Sequence, residues 1–456
     1  MNRIASRTAA LLLFAAILIG GFGFFLVEYL TNADQWVISP GSPHVYNGGN
    51  IGCGVVVDRE GTLLLDMNDG RMYSDSSVLR QATVHWIGDR YGSINAAALP
   101  HYAAELAGFD MLNGVYSYGG SDGVAELTLS GSVQAAALEA MGEHKGTVAV
   151  FNYKTGQLLC AVTTPTYDPD AVPDIEQDTT GRYEGMYVNR FTMSTYIPGS
   201  IFKIVTLAAA LEDIPEITEQ TFTCTGSYTI GTEEITCEDP HWEQSLKSAF
   251  CNSCNCAFAQ IALQLGAETL EGYVEQFGVT AAVTFDGVTT SEGNFEAVGA
   301  EELNVAWSSI GQYEDLINPC AFMTFMGAVA GNGRGAIPYL VERVDLAGSV
   351  TYQAAVRRTS RVVSEETAET IREFMEYNVQ SLYGTQNFPG LTVCAKTGTA
   401  QVGGDRKPNA MFTGFTTDED CPLAFIICVE NAGYGSSVCV PIASKVLTAC
   451  AQVLKN

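Results

Sequence analysis

Three short patterns hold most of the groups that could perform nucleophilic chemistry. In YIPGSIFKIVTLAAALE (196–212), Ser200 follows Pro198-Gly199 at the head of an apolar helical pattern, and Lys203 stands one turn further on. Positions i and i+3 share a helix face, so the two side chains come within contact range. A serine hydroxyl is a weak nucleophile until a base removes its proton. A lysine set among Ile201, Phe202, Ile204 and Val205 is partly desolvated, which lowers its pKa and makes the neutral amine available as that base. The head of a helix also offers oriented backbone N–H groups for a developing oxyanion. Taken alone, the S-x-x-K pattern reads more economically as a helix-capping serine with a snorkelling lysine.

The second pattern is Ser253-Cys254-Asn255, ahead of the apolar helix AFAQIALQLG; by itself it is an ordinary helix cap. The third is Lys396-Thr397-Gly398-Thr399-Ala400 after the strand-like LTVCA, where a strand presents a cation and two hydroxyls along one edge. Its plain reading is a turn. Order changes the balance: the three patterns follow one another in one region, with 53 residues from Ser200 to Ser253 and 143 from Ser253 to Lys396. Three coincidences in that order are improbable.

S-x-x-K, S-x-N and K-T-G together resemble the active-site set of the serine penicillin-recognising enzymes. The chain beyond residue 50 is most similar to the monofunctional, class B-like penicillin-binding proteins, the membrane-anchored D,D-transpeptidases of cell-wall synthesis. AVFNYKTGQLLCAVTTPTYDP resembles the opening strands of that family, and VNRFTMSTYIPGSIFK its N-R segment, with Asn189 and Arg190 in the matching places. SIGQYEDLINPCAFMTFMGAVAGNGRGAIPYLV is similar to its G-Q helix and the continuation of that helix. NAMFTGF and PLAFIICVENAG resemble its last core strands. One departure stands near the membrane: Cys53-Gly54-Val55-Val56-Val57-Asp58-Arg59-Glu60-Gly61 lacks the first arginine of the family's R-G-x-I-x-D-R-x-G.

The resemblance implies an α+β penicillin-binding transpeptidase fold, an antiparallel sheet flanked by helices with a helical subdomain. It makes Ser200 the acylated nucleophile and Lys203 its general base. Ser253 relays protons to the leaving amine and Asn255 contacts the bound peptide. Lys396, Thr397, Gly398 and Thr399 hold the substrate carboxylate, and the backbone N–H groups of Ser200 and Thr399 form the oxyanion hole. The implied substrate is a peptidoglycan stem peptide ending in D-Ala-D-Ala, with β-lactams as covalent inhibitors, a membrane glycosyltransferase as a partner, and no cofactor. A D,D-carboxypeptidase shares the acylation step and stays open, as does a non-catalytic penicillin-binding sensor or scaffold. A β-lactamase is disfavoured: alignment on Glu302-Leu303-Asn304 puts Ala300 where a hydrolytic glutamate belongs.

The elements that must position these residues are partly legible. Helical periodicity runs through Ile201–Leu211, Ala257–Leu265 and Ala321–Val329, while 391–400, 409–416 and 422–430 read as strands. Helices followed by a terminal run of strands indicate an antiparallel sheet in a mixed domain. GTVAVFNYKTGQLLCAVTTP opens that domain with a strand, a Lys154-Thr155-Gly156 turn and a second strand, and GVVVDREGTLLLDM (54–67) reads as a hairpin upstream. The acidic stretch Asp168–Asp178 is expected to be an exposed loop.

From Ala9 to Val27 nineteen residues carry no charge, close to the roughly 20 that span a bilayer as a helix. Arg3 and Arg7 precede this run and Glu28 and Asp34 follow it, so the positive-inside bias leaves the rest of the chain outside. The alternative is a cleaved signal peptide, but the apolar run is long for one and no A-x-A-like site follows. The expected organisation is a tail (1–8), an anchor (9–28), a β-rich juxtamembrane module (29–140) opening on a linker (29–50), and a catalytic domain (141–456).

Lys and Arg total 23 against 51 Asp and Glu, a net charge of -28 that argues against nucleic acid as a partner. The 13 cysteines are scattered. Cys251, Cys254 and Cys256 form C-x2-C-x-C with no second ligand pair at the usual spacing, so no metal is expected there. Cys224 and Cys237 flank a predicted hairpin with an I-G-T turn, which suits either a cross-hairpin disulfide or buried free thiols.

Overall fold

The runs read as strands pair into one antiparallel sheet. In a computed structural model, which describes residues 2–37, 46–47, 50–94, 96–110, 114–115 and 123–455, the strand order is Leu158–Thr164, Gly146–Asn152, Leu423–Val429, Asn409–Thr416, Val393–Ala400. Val429 lies opposite Gly146, so the first and last segments of the domain close the sheet at its centre. Successive residues face opposite layers, as strand geometry requires. Val148 and Val150 join the core under one helical layer, while Ala149 and Phe151 join the core on the other side. A strand buried on both faces shows no polar alternation, which is why these runs are continuously apolar.

One face is covered by the helices Gly131–Met141 and Gly435–Lys455, which pack on each other and on the sheet. The other face receives Pro319–Ala330, every residue of which is buried. That helix starts where the sequence dictates: Asn318 accepts hydrogen bonds from the N–H groups of Cys320 and Ala321, and Pro319 occupies the first position, where no N–H is needed. Beyond it stands the helical subdomain, built from Lys203–Asp213, Leu246–Cys251, Asn255–Leu265, Ala267–Phe277 and Glu365–Asn378. The last of these lies against the edge strand Val393–Ala400.

The amino-terminal region differs from expectation in two ways. The first helix runs from Asn2 to Val37, so residues 29–37 continue the helix expected as an anchor instead of forming a linker; residues 38–45 and 48–49 of that expected linker lie outside the described residues. No loop-forming cluster interrupts the chain before Pro40, and helix propensity carries the helix on. The span Arg3–Ala33 is apolar, with a mean hydropathy of 2.6 in its most apolar window, and that window buries nothing against the rest of the chain.

The second difference concerns the juxtamembrane sheet. It has the expected hairpin Val55–Val57 and Leu63–Asp66, but its six strands run Ser349–Gln353, Val341–Leu346, Gly123–Leu127, Val55–Val57, Leu63–Asp66, Met72–Tyr73. Two of them return from far downstream, where no local period announces the pairing. Asp58 organises the turn: one carboxylate oxygen accepts from the N–H groups of Glu60 and Thr62, and the other from Gly131 N–H at the start of the helix on the catalytic-domain sheet.

The segment Asp168–Asp178 is exposed over most of its length but is pinned at its head. Asp168 takes a bidentate bond from Arg80, at 2.6 and 2.7 Å, and a hydroxyl bond from Ser77 at 2.9 Å. Both side chains of the ion pair are about 15% exposed, and the Arg80 guanidinium holds the Asp168 carboxyl below its ordinary pKa. Bidentate, partly buried pairs are the strong ones. Arg80→Met is therefore expected to speed proteolytic cleavage within 168–182 and to lower the thermal midpoint by a few degrees; an unchanged digestion pattern would show that the pair does not hold the segment.

Candidate active site

Lys203 opens the helix Lys203–Asp213, whose residues through Ala210 are all buried. Its own side chain is 0% exposed. A buried amine must find polar partners, and it has four: Ser200 Oγ at 3.0 Å, Ser253 O at 2.8 Å, Ser253 Oγ at 3.2 Å and Asn255 Oδ1 at 2.8 Å. Ser200 sits in the tight turn Gly199–Ile201 just before the helix, and its hydroxyl caps nothing. The capping-serine reading of S-x-x-K is replaced by a direct hydroxyl–amine contact.

The S-x-N segment resolves in a similar way. The cap of Asn255–Leu265 is Cys254, whose Sγ accepts from Ala257 N–H at 3.4 Å, so the Ser253 hydroxyl is left to face the lysines. Ser253 reaches that position with φ of 53°, a left-handed backbone uncommon for a non-glycine residue and costing on the order of 1 kcal/mol or more. Something around the turn must hold it there.

Lys396 comes from the edge strand Val393–Ala400, which excludes the turn reading of K-T-G. Its side chain is buried, with Nζ 3.1 Å from Ser253 Oγ and 3.0 Å from Thr397 O. The strand and the nucleophile turn touch backbone to backbone. Gly199 has φ of 54°, and a Cβ there would stand 2.7 Å from Thr399 O; a Cβ on Gly398 would stand 2.9 Å from Pro198 O. Only glycine permits that approach, which sets the Pro198–Gly199 backbone directly against the strand at Gly398 and Thr399.

Two buried amines share one hydroxyl, and both are shifted. Burial lowers Lys203 to about 8, and nearby thiols and Glu238 oppose the shift. Burial, then the positive charge of Lys203, lowers Lys396 to about 7. The cluster can exchange a proton near neutral pH, unlike free lysine near 10.4.

Some parts of the site have no signal in the sequence patterns. Tyr383 accepts from Thr397 N–H at 3.0 Å and lies 3.0 Å from Thr397 Oγ1, fixing the middle of K-T-G from a π-helical turn. Asn378 donates to Ala395 O at 3.2 Å from the helix before it. Gly311 accepts from Gly199 N–H at 2.9 Å and leaves no room for a side chain. Asn189 and Arg190 serve a different end: Asn189 caps the turn Arg190–Met193, and Arg190 pairs with Glu430 at 2.8 Å beyond the last strand. Glu302, in the E-L-N segment whose alignment puts Ala300 at the hydrolytic position, is exposed to solvent. No disulfide joins any of the 13 cysteines, so the cross-hairpin pairing is not formed; Cys224 is buried as the alternative expected, whereas Cys237 is half-buried.

Comparison with known proteins gives the family. The model of the penicillin-binding protein transpeptidase domain matches residues 146–448. The peptidoglycan D,D-transpeptidase PbpA of Mycobacterium tuberculosis is 28% identical over 363 residues, covering 72% of this chain and 73% of that protein. Stage V sporulation protein D of Bacillus subtilis is 30% identical over 331 residues, 68% of this chain and 49% of that one. Among solved structures, the D,D-transpeptidase domain of a peptidoglycan glycosyltransferase from Eggerthella lenta superposes with a TM-score of 0.76 at 25% identity, covering 88% of this chain and 98% of that one. Penicillin-binding protein A of M. tuberculosis in its penicillin G acyl-enzyme complex gives 0.72 at 24% identity, over 87% and 99% of the two chains, and shares the fold. The chain belongs to the penicillin-binding protein transpeptidase family.

Proposed function

We propose that this protein is a serine-type peptidoglycan D,D-transpeptidase in which Ser200, Lys203, Ser253, Asn255 and Lys396 carry the reaction. The observation that supports the assignment most is the chain of contacts Ser200 Oγ–Lys203 Nζ–Ser253 Oγ–Lys396 Nζ, all within 3.2 Å. Ser200 Oγ attacks the carbonyl carbon of the penultimate D-alanine as neutral Lys203 takes the hydroxyl proton. The oxyanion accepts from the N–H groups of Ser200 and Thr399. Collapse breaks the peptide bond, and the proton passes from Lys203 through Ser253 to the departing D-alanine amine. The acyl-enzyme is then resolved by an acceptor amine from a neighbouring strand, which runs the same proton path in reverse. β-Lactams enter the same first step and remain attached.

Substrate binding and base activation are coupled. The terminal carboxylate docks on Lys396, Thr397 and Thr399 across Gly398, and its negative charge raises the Lys396 pKa. A fully charged Lys396 then disfavours a second charge on Lys203, so the base becomes neutral when substrate arrives. Asn255, held through its side-chain bond to Thr236 O at 2.8 Å, lines the same cleft for the peptide.

The anchor helix, with Arg3 and Arg7 at its start, sets the remaining part of the proposal: a single-pass protein with its catalytic domain outside the cell membrane. There it works on glycan strands delivered by a membrane glycosyltransferase partner.

Four outcomes test this reading. Fluorescent penicillin should label the chain stoichiometrically and fail to label Ser200→Ala; persistent labelling of the variant would overturn the nucleophile. With a donor stem peptide and an acceptor amine, cross-linked product supports transpeptidation, whereas free tetrapeptide alone marks a carboxypeptidase. The second-order labelling rate should climb with pH as Lys203, lowered to about 8, loses its proton. It should fall again at higher pH as Lys396, lowered to about 7, loses the charge that holds the carboxylate, so the profile is a bell with its maximum between about pH 7 and 8; a rate independent of pH between 6 and 9 would exclude Lys203 as the base. Tyr383→Phe removes the hydroxyl that fixes Thr397 and should slow labelling roughly tenfold, at about 1.4 kcal/mol for the lost bonds, mainly through weaker binding.

A further inference from the structure

Beside the hydroxyl–amine cluster, four soft side chains converge on one point. Cys224 ends the strand Thr221–Cys224, Cys237 follows Glu233–Thr236, His241 precedes Trp242–Ser245, and Cys254 caps Asn255–Leu265. One ligand atom from each lies within 4.8 Å of all the others. Cys237 Sγ is 3.8 Å from Cys254 Sγ and 3.6 Å from His241 Nδ1. Those separations are edges of a coordination tetrahedron: zinc bonded to sulfur at about 2.3 Å and nitrogen at about 2.05 Å sets two sulfurs about 3.8 Å apart, and sulfur and nitrogen about 3.6 Å apart.

The surroundings are arranged for thiolates. Asn255 N–H donates to Cys237 Sγ at 3.2 Å, and Ala257 N–H donates to Cys254 Sγ at the start of a helix, the kind of outer contact that orients and stabilises metal-binding sulfur. The C-x2-C-x-C spacing misleads because its other members are not in the group. Cys256 Sγ lies beside Cys224, Cys237 and Cys254 but outside the four-atom group, donating toward Ile235 O at 3.9 Å, and the remaining ligands come from a hairpin arm upstream.

We propose that Cys224, Cys237, His241 and Cys254 form a structural zinc site that clamps the Ser253-Cys254-Asn255 turn to the arm 221–245. Three sulfurs and an imidazole select zinc over magnesium or calcium. Four protein ligands leave no open position, so the metal holds structure and does no chemistry. On binding, the zinc ion forms four bonds and the three thiols release their protons to solvent. The clamp acts at a sensitive place: Cys254 separates the two residues that meet Lys203, and its neighbour Ser253 has the left-handed backbone. Zinc ligation fixes both partners of the base without touching the substrate.

The test uses the full chain in detergent under reducing conditions. Elemental analysis should find close to one zinc per chain, lost in Cys224→Ser and Cys237→Ser and kept in Cys256→Ser. Because a ligand variant can unfold, the native chain is also stripped with a chelator and titrated with cobalt(II), which should give the visible bands of a tetrahedral site and a sulfur-to-cobalt charge-transfer band. Stripping should slow fluorescent penicillin labelling severalfold, and added zinc should restore it. A chain that holds no zinc and gives no tetrahedral cobalt spectrum overturns the site, as does a native Cys237–Cys254 disulfide found by peptide mapping. Labelling unchanged by reversible removal overturns the clamp. Failure of the native chain to label at all would strike the transpeptidase reading, while metal content and the cobalt spectrum still decide the site.

Discussion

The structure depends on the cost of burying two amines in one place. Lys203 and Lys396 are both shut away from water and both reach Ser253 Oγ. A lone ammonium in such a position is strongly unfavourable, and two of them repel. The arrangement survives because each amine is met by oxygen atoms held on different elements, and because one of the pair can give up its proton near neutral pH. Unfavourable burial is thus what would make Lys203 available as the proposed base. A more exposed Lys203 would be more comfortable and would remain charged.

That constraint explains why the fold needs so many separate parts to meet. The nucleophile turn, the S-x-N turn and the K-T-G strand come from a helix start, a helix cap and a sheet edge. The sheet is rigid because its strands are buried on both faces between a two-helix layer and Pro319–Ala330. The Gly199–Ile201 turn is then pressed against its edge with no side chain between, at Gly199 and Gly398, and is backed from behind by Gly311. A close-packed interior transmits such contacts with little slack, which gives the four-atom proton path its short distances.

Much of this was legible because the chemistry is local. Ser200 and Lys203 lie one helical turn apart, Ser253 and Asn255 flank one residue, and K-T-G occupies one strand, so each motif keeps its geometry wherever the chain carries it. The buried strands were visible as continuous apolar runs for the same reason. Tyr383 could not be found, since a tyrosine at the end of an irregular π-turn has no period and no fixed spacing from Thr397. The strands Val341–Leu346 and Ser349–Gln353 were hidden because they complete a sheet begun almost three hundred residues earlier. The amino-terminal helix ran past its charge boundary because nothing in residues 29–37 stops a helix, although composition there had suggested a linker.

Cysteine shows where spacing and space part company. The pattern C-x2-C-x-C drew attention to Cys251, Cys254 and Cys256, yet only Cys254 belongs to the group that forms. Its partners sit at strand ends, where a chain reversal brings together positions 13 and 17 residues apart, from Cys224 to Cys237 and from Cys237 to Cys254. A residue between two site residues is usually free to vary because its side chain points away from the chemistry. Here that same outward direction lets Cys254 grip the arm behind the turn. The side chain that does no chemistry is therefore well placed to hold the strained Ser253 backbone against relaxation, and with it the hydroxyl that both lysines share.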